Sequence, residues 1–171
     1  MTVKIKEFPG TYLKESDFAE KKVLFTEWNP NAQYAWDAGV AIGRYLHELK
    51  AGNLVGVRCN QCHRTVIPPR NFCEWCFRPM DDWVTLPDTG TVNTFSLCYV
   101  TWDMHYLTEP QIPAVIDIDG TQPSVGIMHM LGEVDPKAVT IGMKVQAVWK
   151  PAEERTGSIL DIQYFRPIPN I

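Results

Sequence analysis

One stretch in the first third of the chain places apolar residues at the period of a helix. They recur three or four positions apart, at Tyr34, Ala38, Ile42, Tyr45 and Leu49. Asn31 suits the N-cap, Pro30 prevents an earlier start, and Gly52 suits the end. The pattern therefore predicts one amphipathic helix over residues 32–51.

The segment around this helix predicts packing rather than chemistry. Gly39 and Gly43 lie one helical turn apart, and in a water-soluble chain we interpret such a pair as ordinary close packing. Residues 1–31 show no period but carry five aromatic residues: Phe8, Tyr12, Phe18, Phe25 and Trp28. We expect this segment to pack against the protein's own core or against a partner subunit.

The second half of the chain is rich in β-branched and aromatic residues between turn signals. Five strands are predicted, over residues 91–100, 113–119, 124–131, 142–150 and 158–166. A short crossing at residues 135–139 separates the third strand from the fourth. This pattern favours a five-stranded Greek-key barrel of the OB type, with a sandwich as the alternative, although sandwiches usually need about seven strands. The predicted fold class is mainly β with an N-terminal helix.

The middle of the chain contains the strongest motif. Cys59, Cys62, Cys73 and Cys76 form two C-x-x-C pairs separated by ten residues. Each pair can direct two thiolates to one point, so the four sulfurs form a tetrahedral metal site. Zinc suits such a site, iron in a rubredoxin-like site is the rival, and four unligated thiols are the remaining alternative.

The predicted metal site is structural rather than catalytic. Four thiolates fill the coordination of Zn²⁺ and leave no position for water. Between the pairs, Pro68 and Pro69 enforce a stiff, extended crossing that suits a ribbon hairpin. His63 and Phe77 follow the two pairs at positions where glycine is customary, so the two turns of this ribbon depart from the usual knuckle pattern.

Charge divides the chain at the same places as the patterns. The 171 residues contain 16 Lys and Arg against 20 Asp and Glu, a net charge of −4. Residues 1–54 are neutral, residues 55–83 carry +1 and residues 84–171 carry −5. We therefore predict three modules with these boundaries: an N-terminal extension and helix, a rubredoxin-like zinc ribbon, and an OB-fold domain. The acidic balance disfavours a general binder of phosphate backbones.

No transmembrane or secretory segment is visible in the sequence. The first ten residues lack an apolar core of a signal peptide, and no run approaches about 18 apolar residues. We expect a cytoplasmic protein without membrane contact, a setting in which clustered thiols bind metal more often than they form disulfides.

The sequence lacks the common catalytic motifs of hydrolases, P-loop enzymes, dinucleotide-binding enzymes and zinc proteases. Cys98 is the remaining thiol, and His129 or His105 are the histidines that would activate it. A small buried apolar role for Cys98 and a core or interface role for His129 are the simpler interpretations. We therefore predict no catalytic residue in this chain.

Two groups of residues are candidates for contact with a ligand or partner. Large apolar residues crowd the connection between the first two barrel strands: Trp102, Met104, His105, Tyr106, Leu107 and Pro110. Such a loop either forms an interaction surface or folds back onto its barrel. Arg64, Arg70 and Arg78 could meet phosphates, although a solvated rim of arginines is the simpler interpretation.

The order of these motifs resembles a known family, the acyl-CoA-associated zinc-ribbon/OB-fold proteins catalogued as domain-of-unknown-function family thirty-five. The resemblance covers about residues 34–166 and rests on the four cysteines with Pro68-Pro69-Arg70, the G-T-V and P-A-V-I-D-I-D-G segments, and I-G-M-K-V at residues 141–145. It implies a rubredoxin-like ribbon joined to an OB barrel beside an N-terminal helix. It also implies a non-catalytic partner of thiolase-type enzymes, a group that includes thiolases, a hydroxymethylglutaryl-CoA synthase assembly, acyltransferases and retro-aldol enzymes.

The expected function is therefore a structural subunit of a hetero-oligomeric acyl-CoA enzyme. By the resemblance, the cysteines bind structural Zn²⁺, and the enzyme subunit supplies all catalytic groups. Arg64, Arg70, Trp102, Met104, His105 and Tyr106 are the expected contacts to CoA or to the partner. The alternatives are a zinc-ribbon/OB-fold nucleic-acid binder and a self-sufficient enzyme that uses Cys98.

Overall fold

The computed structural model describes residues 13–23, 26, 30–31, 33–123 and 125–169. The chain divides into two compact units, residues 1–36 and residues 37–171. The first unit contains a short helix, α1 (Glu15–Ala19), none of whose residues is buried. Of the five aromatic residues that we expect to pack in this region, four lie outside the described residues: Phe8, Tyr12, Phe25 and Trp28.

The second unit opens with helix α2 (Gly39–Ala51), which buries Ala41, Tyr45 and Leu49 along one stripe. The predicted start near Ala32 with an Asn31 cap is wrong, because the Asp37 carboxylate accepts the N–H of Gly39 at 2.8 Å and so favours a start at Gly39. The predicted end is confirmed, since Gly52 adopts the left-handed conformation that closes the helix. In the described part of the chain, no helix is long and apolar enough to cross a bilayer.

A three-stranded antiparallel sheet follows. Its central strand is β1 (Leu54–Cys59), with β2 (Arg64–Val66) on one side and β3 (Asp82–Leu86) on the other. The first cysteine pair lies at the end of β1 and in the turn that follows it, and the long connection between β2 and β3 carries the second pair. The sequence thus folds into the expected ribbon.

The rest of the second unit forms a barrel and a separate hairpin. The barrel contains β4 (Thr89–Phe95), β7 (Pro113–Ile118), β8 (Gly126–Met130), β9 (Lys144–Trp149) and β10 (Ile162–Pro167), paired in the order β10-β9-β4-β7-β8. A parallel bridge between Leu131 and Phe165 joins the two ends of this order, which closes the ring. This five-stranded ring confirms the OB-type barrel.

Two predicted strands differ from the structure. The strand predicted over residues 91–100 is interrupted at Ser96 and Leu97, where the chain leaves the barrel to form β5 (Cys98–Val100) and pair with β6 (Tyr106–Gln111). The strand predicted from Ser158 begins instead with a 3-10 turn, Ile159–Asp161. The buried Asp161 carboxylate accepts three backbone N–H groups, from Thr156, Gly157 and Ser158 at 2.9, 2.7 and 3.1 Å, and these bonds hold the turn.

One apolar core connects helix, ribbon and barrel. Tyr45 and Leu49 of α2 pack with Leu54 of β1, Leu86 of β3 and Ile116 of β7 in a single buried cluster. A second contact binds the ribbon to the barrel, because Gln122 donates from its backbone to Thr65 and from its side chain to the His63 carbonyl, at 3.2 and 3.1 Å. The ribbon is therefore fixed on the barrel and does not swing as a free module.

Candidate functional site: a four-cysteine cluster and an exposed hairpin

The four predicted cysteines converge at the tip of the ribbon. Their Sγ atoms all lie within 4.8 Å of one another, and those of Cys59 and Cys76 are 3.6 Å apart. Four sulfurs around one Zn²⁺ at about 2.3 Å would be separated by roughly 3.8 Å, so the observed spacing fits a tetrahedral thiolate site. Cys59 and Cys73 are buried, while Cys62 and Cys76 are half-buried. These four residues could hold a metal ion, and in the described residues they form the one such cluster of His, Cys, Asp or Glu.

The turns at both cysteine pairs adopt the conformation that glycine usually supplies. His63 has φ of 53° and Phe77 has φ of 57°, both in the left-handed region. After the second pair, the Phe77 N–H bonds the Cys73 carbonyl at 2.9 Å. The knuckle geometry therefore forms without glycine, at a conformational cost to the backbone at two positions.

Backbone groups and mutual proximity shift the pKa values of the thiols in opposite directions. The N–H groups of Cys76 and Trp75 bond the Cys73 sulfur and lower its pKa to about 6. The pKa of Cys62 rises because of burial and then because of the neighbouring thiols. The largest single influence on Cys59 is a bond from the Cys62 N–H, which lowers its pKa, but burial and the adjacent thiols together outweigh this bond and raise the pKa. Four thiolates cannot coexist so closely without a cation, and a bound metal ion would remove their repulsion.

Arginines expected at the surface are partly built into the ribbon. Arg64 is buried, donates to Glu74 at 2.7 Å and stacks on the Trp75 ring at 3.9 Å. Arg70 is half-exposed and pairs with the same carboxylate. The interpretation of a solvated arginine rim is wrong for Arg64, because its guanidinium organises the second knuckle from within. The predicted contact of Arg64 and Arg70 with CoA or a partner stays a prediction.

The second knuckle exposes aromatic residues that sequence reasoning missed. Phe72, Trp75 and Phe77 are 60%, 65% and 81% exposed, although they interleave with the metal-binding motif. Their positions beside Cys73 and Cys76 are visible in the sequence. The sequence alone does not mark them as exposed, because aromatic residues in a small module usually supply its core.

The apolar connection between the first two barrel strands is an exposed hairpin. Strands β5 and β6 pair with each other and belong to no larger sheet of the described residues. Trp102, Met104 and Tyr106 are 96%, 74% and 85% exposed, and the side chain of His105 is also exposed. The alternative in which this segment folds back onto the barrel is therefore wrong for these four residues. Leu107 and Pro110 are half-buried toward the hairpin base.

The tip of this hairpin is ordered by its own hydrogen bonds. The Thr101 hydroxyl donates to Asp103 at 2.5 Å and accepts the N–H of His105 at 3.0 Å. The Thr101 N–H bonds the His105 carbonyl, and the Met104 N–H bonds the Thr101 carbonyl, at 2.9 and 3.1 Å. The tip therefore presents Trp102 and Met104 from a defined turn rather than from an unstructured loop.

The remaining thiol is not part of a catalytic arrangement in the described residues. Cys98 is half-buried on β5, and its sulfur lies 3.8 Å from the Ser96 hydroxyl. Both ring nitrogens of His129 are engaged elsewhere, by the Met130 N–H at 2.9 Å and the Ile159 carbonyl at 3.2 Å. His105 faces Asp103. The expectation of a core histidine at His129 agrees with this geometry, since the residue is buried and packs edge-on against Phe165.

Comparisons with known proteins agree with this architecture. The family profile described as "ChsH2, C-terminal OB-fold domain" matches residues 83–150. A DUF35 domain-containing scaffold protein of Methanocaldococcus jannaschii is 32% identical over 120 residues, which are 68% of this chain and 83% of the relative.

Two solved structures share the fold. A DUF35-family protein of unknown function from Sulfolobus solfataricus is 20% identical, with a TM-score of 0.57 over 75% of this chain and 84% of its own. The Ltp2-ChsH2(DUF35) aldolase is 21% identical, with a TM-score of 0.57 over 79% of this chain and 98% of that chain. Both likenesses concern the fold alone. Through its identity with the archaeal scaffold protein, over most of that protein's length, the chain belongs to the DUF35 family.

Proposed function

We propose that this chain is a non-catalytic accessory subunit of a thiolase-type acyl-CoA enzyme. The observation that carries the proposal is the exposed, ordered hairpin around Trp102, Met104 and Tyr106. Large apolar side chains on a fixed turn are costly in water and typical of the centre of a protein interface. The relatives support the same role, because one is a scaffold protein and another is part of an aldolase with Ltp2.

The reaction class of the partner enzyme is the finer part of the proposal. The aldolase relative favours a retro-aldol enzyme among the thiolase-type candidates. The chain would cover the entrance to the active site of such an enzyme and exclude water from it, while the enzyme supplies the nucleophile and the bases. Of the two arginines expected to contact CoA or the partner, Arg70 is half-exposed beside the second knuckle and could reach a phosphate of CoA, whereas the Arg64 guanidinium is buried. Binding of radiolabelled CoA to the chain alone and to the complex would test this contact.

Zinc is the metal that we propose for the four-cysteine cluster. The sulfur spacing and the closed donor set suit a divalent ion held by thiolates. When bound, the ion would stabilise the ribbon and supply no open coordination position. Elemental analysis of protein isolated from its natural source is expected to give one zinc per chain. One iron per chain with visible absorption would establish the rubredoxin-like alternative.

The nucleic-acid alternative receives no support from the barrel surface. In OB barrels, the second and third strands and the loop between the first two form the usual nucleic-acid site. Here the second and third strands, β7 and β8, contain neither lysine nor arginine, and nor does the first strand, β4. Met128, 73% exposed on β8, lies where a strand-binding protein would place cationic or aromatic side chains.

Reconstitution tests the proposed function. We expect the chain, tagged in its natural source, to co-purify with a thiolase-type enzyme whose activity falls on removal of the chain and returns on its addition. Deletion of residues 104–107 should abolish this association and leave the metal content unchanged. A co-purified enzyme that is fully active alone would contradict the proposal.

A further inference from the structure

The segment of the chain that contains the exposed hairpin carries carboxylates but neither lysine nor arginine. From Pro79 to Pro136 the chain contains nine carboxylates and neither lysine nor arginine. The basic residues of the barrel domain, Lys137, Lys144, Lys150, Arg155 and Arg166, all follow this segment. The barrel is therefore acidic over β4 to β8 and carries its cations on the later elements.

Some of these carboxylates form ion pairs on the barrel surface, whereas no lysine or arginine of the described residues pairs with Asp103, Glu109 or Asp135. Lys144 pairs with Asp119 at 2.9 Å, and Arg166 pairs with Glu133 at 3.5 Å. Glu109 is exposed on β6 and has no ion pair in the described residues. It lines a depression of about 280 Å³ at the base of the hairpin together with Asp135, and Lys137 is the one cation there.

Asp103 completes the acidic rim at the tip. The Nε2 atom of His105 lies 3.5 Å from one carboxylate oxygen of Asp103, and the other oxygen accepts the Thr101 hydroxyl. An apolar centre of Trp102, Met104 and Tyr106 is thus flanked by carboxylates at the tip and at the base. Charges arranged in this way steer a partner of opposite sign and set the orientation in which it binds.

We propose that this hairpin is the docking anchor of the chain and that it fits an apolar pocket rimmed by lysine or arginine on the partner enzyme. The inference rests on the proposed function and specifies the partner surface. Trp102 and Met104 enter the pocket, and Glu109 and Asp103 meet its basic rim. The hydrogen bonds of the tip hold this arrangement before binding, so little conformational entropy is lost on association.

Binding kinetics on the purified enzyme subunit test the inference. Trp102→Ala and Met104→Ala are expected to speed dissociation, by about 30-fold for the tryptophan. Met128→Ala is the matched control, because Met128 is as exposed as Met104, at 73% against 74%, but lies on the barrel face. It should leave dissociation unchanged.

The charge term is tested separately. Glu109→Lys is expected to slow association by about three- to tenfold at low salt, and this difference should vanish at high salt because the charges are screened. Glu153→Lys makes the same charge change on the exposed turn between β9 and β10 and should have little effect. Circular dichroism and metal content verify that each variant is folded.

The outcomes separate the two proposals. If the enzyme binds the chain and regains activity, but Met104→Ala equals Met128→Ala or Glu109→Lys equals Glu153→Lys, the docking inference is wrong. The accessory role would then rest on the restored activity and would not depend on the hairpin. If no thiolase-type enzyme binds the chain under any salt condition, both are wrong.

Discussion

Replacing the two strained residues of the knuckles with glycine should stabilise the ribbon. His63 and Phe77 hold left-handed conformations at φ of 53° and 57°, which cost an L-residue about 1–2 kcal/mol. Glycine removes this strain, but its greater freedom in the unfolded state costs about 0.5–1 kcal/mol of stability. Both side chains are exposed, Phe77 at 81%, so little packing is lost. The expected gain is about 0.5–1 kcal/mol for each of His63→Gly and Phe77→Gly.

The gain should also be visible in metal affinity, because only the folded knuckles present the four sulfurs together. A stabilisation of about 1 kcal/mol corresponds to roughly fivefold tighter binding. Urea unfolding of the metal-loaded protein and competition with a chromophoric chelator measure the two effects independently. The His63 carbonyl that accepts Gln122 belongs to the backbone, so this contact with the barrel is retained in the glycine variant.

Alanine at the same positions is the matched control. His63→Ala and Phe77→Ala remove the side chains but keep the Cβ that causes the strain, so neither should raise the unfolding free energy. If the glycine variants are no more stable than the alanine variants, the strain at these turns is not what limits the ribbon, and the reasoning is refuted.

Three further predictions concern the acidic turn, the metal and the barrel. Burial alone would raise the pKa of Asp161, but three backbone N–H bonds outweigh it and lower the pKa; Asp161→Asn should therefore cost about 3 kcal/mol at pH 7. That stabilisation is present above the unfolded pKa of about 3.9 and is lost as the pH falls through the lowered folded value, so urea unfolding should give the same deficit from pH 7 to 5 and a shrinking one below pH 4. Cys73→Ser should abolish metal retention in native mass spectrometry, whereas Cys98→Ser should not. Gly126→Ala should lower the thermal midpoint, because its Cβ would lie 2.0 Å from a carbonyl oxygen of β7. In Gly43→Ala the new Cβ meets nothing within 4 Å, so this variant should raise the free energy of unfolding by about 0.5–1 kcal/mol and raise the midpoint with it. Equal midpoints for the two variants would contradict both expectations.

The metal cluster was predictable because the residues that form it lie close together in the sequence. Two C-x-x-C turns each orient two sulfurs within four residues, and the crossing between them needs only to bring the turns together. The strands of the barrel were also predictable in number and place, since alternating burial follows directly from the period of a strand, as in β7, where Ala114, Ile116 and Ile118 are buried.

The boundaries of the elements were less predictable because they depend on competing hydrogen bonds. The apolar period extends back to Tyr34, yet α2 begins at Gly39 beside the Asp37 carboxylate. The apolar run to Val100 continues past Phe95, yet the chain leaves the barrel there and pairs again as β5. In both places the residue pattern allows a longer element, and a specific partner decides where it ends.

The sequence by itself determined the four sulfurs, the five-stranded barrel and the acidic balance of the second half, because spacing, period and composition are properties of the chain alone. Only the tertiary structure decided which side chains remain available to a partner. Arg64 and Trp102 are both large residues outside the main apolar core, yet Arg64 is buried by Trp75 and Glu74 while Trp102 projects into water. Exposure depends on neighbours that are distant in the sequence, and the fold alone brings them together.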